Sequence, residues 1–295
     1  MTSGRFTREK LERTLTQICA DLGLDGSDAR LIRFTNNAVY ALESESVVVR
    51  IIASHGLRHR GPKVVEVAKY LAEHDVPAVR LLPGVQQPLV VGEHLATLWD
   101  YVPSTGRAPT TKDLAELLRQ VHALPPPPWL PAWTPLNDVR TRLADAEVLA
   151  DDDHEFLLDK LAEVESALAD LEFVLPTSLV HGDAYIGNVI ISPNGPVLCD
   201  FDSSCGGPPE WDLTPVALGQ ERFGDPEESQ RLFAETYGFD LLSWKGYPVL
   251  RGIRELKLTT SVLPSFRSNP QTRGELLRRL ADLRAGRLPT QWIRY

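Results

Sequence analysis

Two short apolar runs, Leu179-Val180 and Val189-Ile190-Ile191, enclose a polar loop running from His181 through Gly182, Asp183, Ala184, Tyr185, Ile186 and Gly187 to Asn188. A third run follows at once, Val197-Leu198-Cys199, and ends in Asp200-Phe201-Asp202. Apolar runs of this length read as buried strands. Strands that end in carboxylates hold those acids still, because the strand's own packing fixes the backbone that carries them. The chain must therefore fold so that buried strands present Asp183, Asn188 and Asp200 from their ends.

The rest of the composition narrows the class. A chain of 295 residues is long enough for one large or two medium domains, each with its own core. No apolar run approaches the roughly 20 residues that span a bilayer, and the first ten residues lack the apolar centre of a signal peptide. Cys19, Cys199 and Cys205 have no metal-ligand spacing and cannot all pair, so a reduced, cytoplasmic setting is expected. The formal net charge of −9 argues against general nucleic-acid binding. That charge is uneven: residues 251–295 hold ten Lys/Arg against three acids, about +7, and the remainder carries about −16. Solvated helix faces are the expected explanation, with an anionic-substrate or partner surface as the alternative.

In chain order, Thr7 to Leu22 has the spacing of an amphipathic helix. Ala29–Phe34, Val39–Leu42 and Ser46–Ile52 are β-type runs joined by short polar turns, which marks antiparallel hairpins. Arg50 is the one charge inside the third run, and a buried charge needs a partner. Lys63 to His74 reads as a helix that offers Glu66, sixteen positions beyond Arg50. A strand cation tied to a helix carboxylate would hold the cation against a nucleotide phosphate. Arg50 reaching solvent beside an unrelated Glu66 is the bland alternative, and the polar loop favours the pair. Runs at Val79–Leu82, Leu89–Val91 and His94–Val102 complete a β-rich part, and Pro103, Gly106 and Pro109 break regular structure. The expected division is a nucleotide-binding lobe over 1–102 and a helix-rich lobe over 103–295.

In that second part, helices are expected at Lys112–Leu124, Asn137–Leu149, His154–Leu171, Glu210–Gln220, Pro226–Tyr237, Tyr247–Leu263 and Arg273–Ala285. Pro125 to Pro128, with Trp129, Pro131 and Trp133, forms a stiff connector. Asp151-Asp152-Asp153 suggests a metal cluster but is better read as acids complementing a helix dipole. No internal repeat is visible.

The loop chemistry fits phosphoryl transfer, which needs placement, charge neutralisation by a metal, and an acceptor for the hydroxyl proton. Asp183 can orient and deprotonate an acceptor hydroxyl. Mg²⁺ takes hard oxygen ligands, and the Asn188 amide oxygen and the Asp200 carboxylate supply them. Val189-Ile190-Ile191 would floor an adenine pocket and Val48 would cover it. A hydrolytic metal site built from His181, Asp183, Asp200 and Asp202 is the competing arrangement, but it leaves Asn188, Arg50 and Glu66 without a role.

His181-Gly182-Asp183-x-x-x-x-Asn188, Cys199-Asp200-Phe201-Asp202 and Glu210-Trp211-Asp212-Leu213 together resemble the aminoglycoside phosphotransferase/choline kinase-like family, from about Leu31 to Leu218. The resemblance implies a bilobal protein-kinase-like α+β fold, with an antiparallel N-terminal sheet, one key helix and a mostly helical C-terminal lobe. It implies Asp183 as catalytic base, Mg²⁺ on Asn188 and Asp200, and ATP or GTP as donor. Arg50 stands where the phosphate-gripping lysine usually sits, and Glu66 matches its helix partner. Thr97 to Val102 is similar to the segment whose backbone receives adenine, which points to Asp100, Tyr101 and Val102. Asn37 falls in the phosphate-covering loop, Phe34 to Val39, which has no glycine. His181 and Asp212 resemble supports of the catalytic loop, and Asp202 stands where protein kinases have glycine.

Gly182 replaces the arginine with which many protein kinases read a phosphorylated activation loop, and few residues separate Asp200 from Trp211. A small-molecule hydroxyl is therefore the expected acceptor, whether on an antibiotic, amino-alcohol, sugar or nucleoside. Aminoglycoside binding calls for carboxylates, for which Asp202, Glu210, Glu221 and Asp225 are candidates. A kinase-like nucleotide-binding module with little catalysis, used for regulation or interaction, is the alternative from another class. The sequence does not fix the oligomeric state.

Overall fold

A computed structural model describes residues 7–34, 37–52, 58–146, 148–266 and 269–294. The chain forms two compact units, Met1–Pro109 with Gly187–Ser204, and Thr110–Ile186 with Cys205–Tyr295. Among the described residues, no helix is long and apolar enough to cross a membrane.

The first unit opens with helix α1 (Arg8–Leu22), capped by the Thr7 side chain, which accepts from the Lys10 N–H. Five strands follow: β1 (Arg30–Phe34), β2 (Asn37–Leu42), β3 (Val47–Ile52), β4 (Leu89–Val91) and β5 (His94–Asp100). They make an antiparallel sheet in the order β1-β2-β3-β5-β4. Side chains alternate along β3. Val47, Val49 and Ile51 are buried in a core with Leu11, Leu15 and Ile18 of α1 and with Tyr40, Leu42 and Leu98, which leaves Val48 and Arg50 on the opposite face. Helix α2 (Arg60–Glu73) buries Val64, Val67, Ala68 and Leu71. The expected strand at Val79–Leu82 is reduced to single bridges, Leu81 with Trp99 and Ala78 with Leu198.

The hairpin β7 (Val189–Ser192) and β8 (Gly195–Leu198) belongs to this first unit. Its edge is tied by Val79 N–H to Leu198 O, Leu198 N–H to Pro77 O and Thr105 N–H to Ile191 O, each at 2.8–2.9 Å. Those bonds explain why the unit runs to Pro109 and takes in Gly187–Ser204, where a single division after Val102 was expected.

The second unit holds α3 (Thr111–His122), α4 (Asn137–Ala144), α5 (Asp151–Ala169), α6 (Glu210–Phe223), α7 (Glu227–Tyr237), α8 (Tyr247–Ser261) and α9 (Pro270–Arg284), with a short pair β6 (Ser178–Val180) and β9 (Cys205–Gly207). A capping box between Thr110 and Asp113 starts α3. Asp151 to Asp153 lie in the first turn of α5, as a helix dipole favours, and Asp153 accepts from Arg284 at 2.5 Å. The proline connector runs beside β9: Gly206 N–H donates to Pro131 O and Trp133 N–H to Gly206 O. A Cβ on Gly207 would lie 2.7 Å from that of Trp133, so this close approach requires glycine. The basic C-terminal part is more than solvated faces. Arg279 is buried against Glu275 and over the Trp292 ring, while Arg284 and Arg294 pair with Asp153 and Asp225.

Candidate active site

In the second unit, β6 delivers His181, Gly182 and Asp183. Gly182 has φ +84°, a left-handed conformation that favours glycine and turns the chain sharply before Asp183. The turn is clamped by Asp212 in the first turn of α6. Its fully buried carboxylate accepts from the His181 N–H at 2.5 Å, the Gly182 N–H at 2.7 Å and His122 Nε2 at 3.1 Å. His122 Nδ1 lies 2.8 Å from the Tyr237 hydroxyl, completing a chain of supports behind the loop. The neighbouring Trp211 donates its indole N–H to Gly182 O at 3.0 Å. Backbone and side-chain donors thus fix the loop from two sides.

Asp183 itself is 47% exposed, and Arg254 of α8 donates to its Oδ1 at 2.7 Å. Crowding by the surrounding protein pushes its carboxyl upward. The charge and hydrogen bond of Arg254, helped by His181 and Lys257, outweigh that push and hold it below the usual carboxylate range. Arg254 also lies over the Trp211 ring, 5.6 Å from its centroid. Asp183 is therefore an ionised, oriented and accessible carboxylate.

In the first unit, Asn188 ends a 3₁₀ turn, Ile186–Asn188, directly before β7, and Asp200 follows β8 by two residues. The hairpin brings their backbones together, with Cys199 N–H donating to Asn188 O at 2.9 Å. Asp200 has φ +69°, a strained conformation for a residue with a side chain. Arg33 Nη1 lies 3.6 Å from its carboxylate. Phe201 is buried, its ring 6.3 Å from that of Trp99. Burial, and then the charge of Asp200, push the Cys199 thiol up to about 12, so it stays protonated. The amide and carboxylate oxygens of Asn188 and Asp200 are donors of the kind Mg²⁺ takes. Among the described residues, no three His, Cys, Asp or Glu side chains are grouped to hold a metal.

The expected Arg50–Glu66 pair is replaced. Arg50 pairs with Asp202, and Asn37 Nδ2 donates to the same carboxylate oxygen at 3.4 Å. Glu66 is half exposed and bound to Lys69, one turn along α2, at 2.8 Å. The helix residue aimed at this region is Lys63, whose ammonium donates to Asp202 O at 2.6 Å and Ser204 O at 3.0 Å. Glu66 is turned to solvent on α2, whereas Asp202, two residues after Asp200, meets Arg50 on β3.

Other expected positions are modified as well. Asp100 and Tyr101 N–H are taken by Arg80 O and Ser46 O at 2.9 and 2.8 Å, so neither backbone donor of the expected adenine segment is open. Burial raises the Asp100 carboxyl. Val48 and Ile190 are both half-buried. Residues 35 and 36 of the phosphate-covering loop lie outside the described residues. Glu210, a candidate for the acceptor, is fully buried: its Oε1 accepts from Val174 and Leu175 N–H at 2.7 and 2.8 Å, bracing the approach to β6.

Sequence reasoning missed Arg254, Lys63, Arg33 and His122. Only Arg254 left a trace, as part of the basic excess after residue 251.

The model of the phosphotransferase enzyme family matches residues 29–253. No curated protein matches the sequence at a significant level. Among solved structures, the chain is similar to the amicoumacin kinase hAmiN in complex with AMP-PNP, Ca²⁺ and Ami, at 14% identity and a TM-score of 0.68, covering 97% of this chain and 98% of that one. It is also similar to the choline kinase LicA from Streptococcus pneumoniae (15%, 0.68, 92% and 99%). A choline/ethanolamine kinase family protein from Mesorhizobium loti matches at 14%, 0.66, 92% and 94%. These likenesses give the fold as the protein-kinase-like α+β one. With three quarters of its length matched by the family model, the chain belongs to the phosphotransferase enzyme family.

Proposed function

We propose that this protein transfers the γ-phosphoryl group of ATP or GTP to a hydroxyl of a small molecule. The observation that carries the proposal is Asp183, a carboxylate held ionised by Arg254 on a loop that Asp212 locks from behind. Asp183 takes the acceptor's proton as the oxygen attacks, and the fixed loop supplies the orientation that makes such transfer efficient. Asn188 and Asp200 would hold Mg²⁺, which when bound neutralises charge on the phosphates. Arg50, oriented by Asp202, grips the nucleotide phosphates. Val48 and Ile190 cover adenine, and Val102 offers it a backbone contact. Three cysteines without metal-ligand spacing fit a cytoplasmic setting.

Metal-dependent release of ADP is the direct test, run with amino-alcohols, sugars, nucleosides and aminoglycosides as acceptors. Stimulation by at least one class, lost in Asp200→Ala, is expected. The pairing of Arg50 with Asp202 also fits a nucleotide-binding module with little catalysis. Tight nucleotide binding without turnover on any acceptor would establish that reading instead.

Arg254→Met gives a second check. With its strongest opposing charge gone, crowding drives the Asp183 carboxyl upward, so the acid limb of the kcat–pH profile moves to higher pH. A limb that stays in place would detach Arg254 from the base.

A further inference from the structure

The charges around Asp183 bear on what it acts upon, and the inference that follows rests on the phosphotransferase reading above. All four acids that the sequence offered for a polycationic acceptor are engaged by the protein. Glu210 is buried and accepts from the Val174 and Leu175 N–H groups, and Asp202 holds Arg50. Glu221 accepts from the Tyr247 hydroxyl at 2.6 Å and from Arg251 at 3.2 Å. Asp225 is gripped by both terminal nitrogens of Arg294.

Cations, by contrast, gather at the base. Lys257, one turn beyond Arg254 on α8, donates to Pro135 O at 3.1 Å and lies 3.5 Å from Asp138. Arg142 joins it, with Nη2 3.9 Å from Asp138 and Nη1 donating to Lys257 O at 3.4 Å. Among the described residues, this cluster sets three cations against the two carboxylates Asp183 and Asp138. Burial depresses the Lys257 ammonium; Asp138 opposes that, and Arg254 and Arg142 add to it. Trp211, a buried ring beside the loop, is already covered by Arg254. A quaternary or primary ammonium seeking that ring would meet a like charge.

We infer that the acceptor is a hydroxyl compound bearing an anionic group, a carboxylate or a phosphate, and that Arg254 and Lys257 select it. Its hydroxyl must come within hydrogen-bond reach of Asp183. A substituent a few bonds away then lies within a Debye length, about 8 Å at physiological salt, of both cations. An anion there is attracted and an ammonium is repelled.

A matched series of probes tests this with the full chain and Mg·ATP: glycerol as the neutral compound, glycerate and glycerol 3-phosphate as anions, choline and kanamycin as cations. At least one anion is expected to exceed glycerol roughly tenfold in kcat/KM, with choline and kanamycin below it. Lys257→Gln should shrink the anion-to-glycerol ratio, and 0.5 M salt should do the same. Calorimetric binding of the same probes to protein loaded with Mg·AMP-PNP gives the ranking without turnover. Preference for choline or kanamycin overturns the inference. A flat ranking in calorimetry as well as in turnover, including no binding of any probe, also overturns it. Loss of nucleotide turnover with the binding ranking intact would sink the phosphotransferase reading alone.

Discussion

Asp183→Asn is expected to lower kcat by about 10²- to 10⁴-fold, the usual contribution of a positioned base, while leaving nucleotide affinity nearly unchanged. The substitution keeps the shape of the side chain and an oxygen that can still accept from Arg254 Nη2, now 2.7 Å from Asp183 Oδ1. It also leaves the clamp of Asp212 on the His181 and Gly182 N–H groups untouched. The loop should therefore stay in place, and what is removed is the capacity to take a proton. Single-turnover phosphoryl transfer, compared with nucleotide binding by calorimetry, separates the two quantities. A variant that turns over at close to the wild-type rate would show that the proton leaves by another route, and Asp183 would then be a structural partner of Arg254. The depressed carboxyl of Asp183 sets the pH dependence expected of the unmodified enzyme. The base stays ionised down to below the ordinary carboxylate range, so Asp183 should produce no acid limb near neutrality.

Local patterns in the sequence anticipate much of this arrangement, and the exceptions have a common cause. Short apolar runs bounded by polar turns located β2, β3, β4 and β5, and helical spacing located α1 and α3 to within about three residues at each end. The support expected of Asp212 came from the resemblance of Glu210-Trp211-Asp212-Leu213 to the family pattern, not from local spacing. The companion His122 carried no such signal, since nothing along α3 distinguishes a histidine that will meet Asp212 from one on a solvated face. Pairings between distant segments are where local pattern is silent. Glu66 and Asp202 are both acids that Arg50 can reach on paper, and only the rotation of α2 and the path of the chain after Asp200 decide between them. Arg254 was visible only as one positive charge among ten in the C-terminal stretch. Its meaning comes from α8 passing beside the loop, a property of packing.

That choice of partner for Arg50 leads to a contrast between two conservative substitutions. Asp202→Asn is expected to raise the Kd for Mg·AMP-PNP about tenfold, equivalent to roughly 1.4 kcal/mol, whereas Glu66→Gln should change it less than about twofold, as exposed pairs usually do. Two effects of opposite sign compete at Asp202. Its carboxylate could hold Arg50 away from a phosphate, in which case removing the charge would tighten binding. It could instead aim the guanidinium, in which case removal loosens it. A guanidinium has five N–H donors in a rigid fork, so one edge can stay on Asp202 while another serves a phosphate. With Arg50 only 11% exposed and Asp202 only 20%, the pair is sheltered enough for orientation to matter. Lys63 further fixes Asp202 through its backbone oxygen, so the carboxylate is not free to follow Arg50 elsewhere. Orientation should win. Arg50→Lys keeps the charge but gives up the fork, and should weaken nucleotide binding in the same direction as Asp202→Asn. Binding that tightens in Asp202→Asn would reverse the role and make Asp202 a brake on the phosphate grip. A larger loss in Glu66→Gln than in Asp202→Asn would return the clamp to α2.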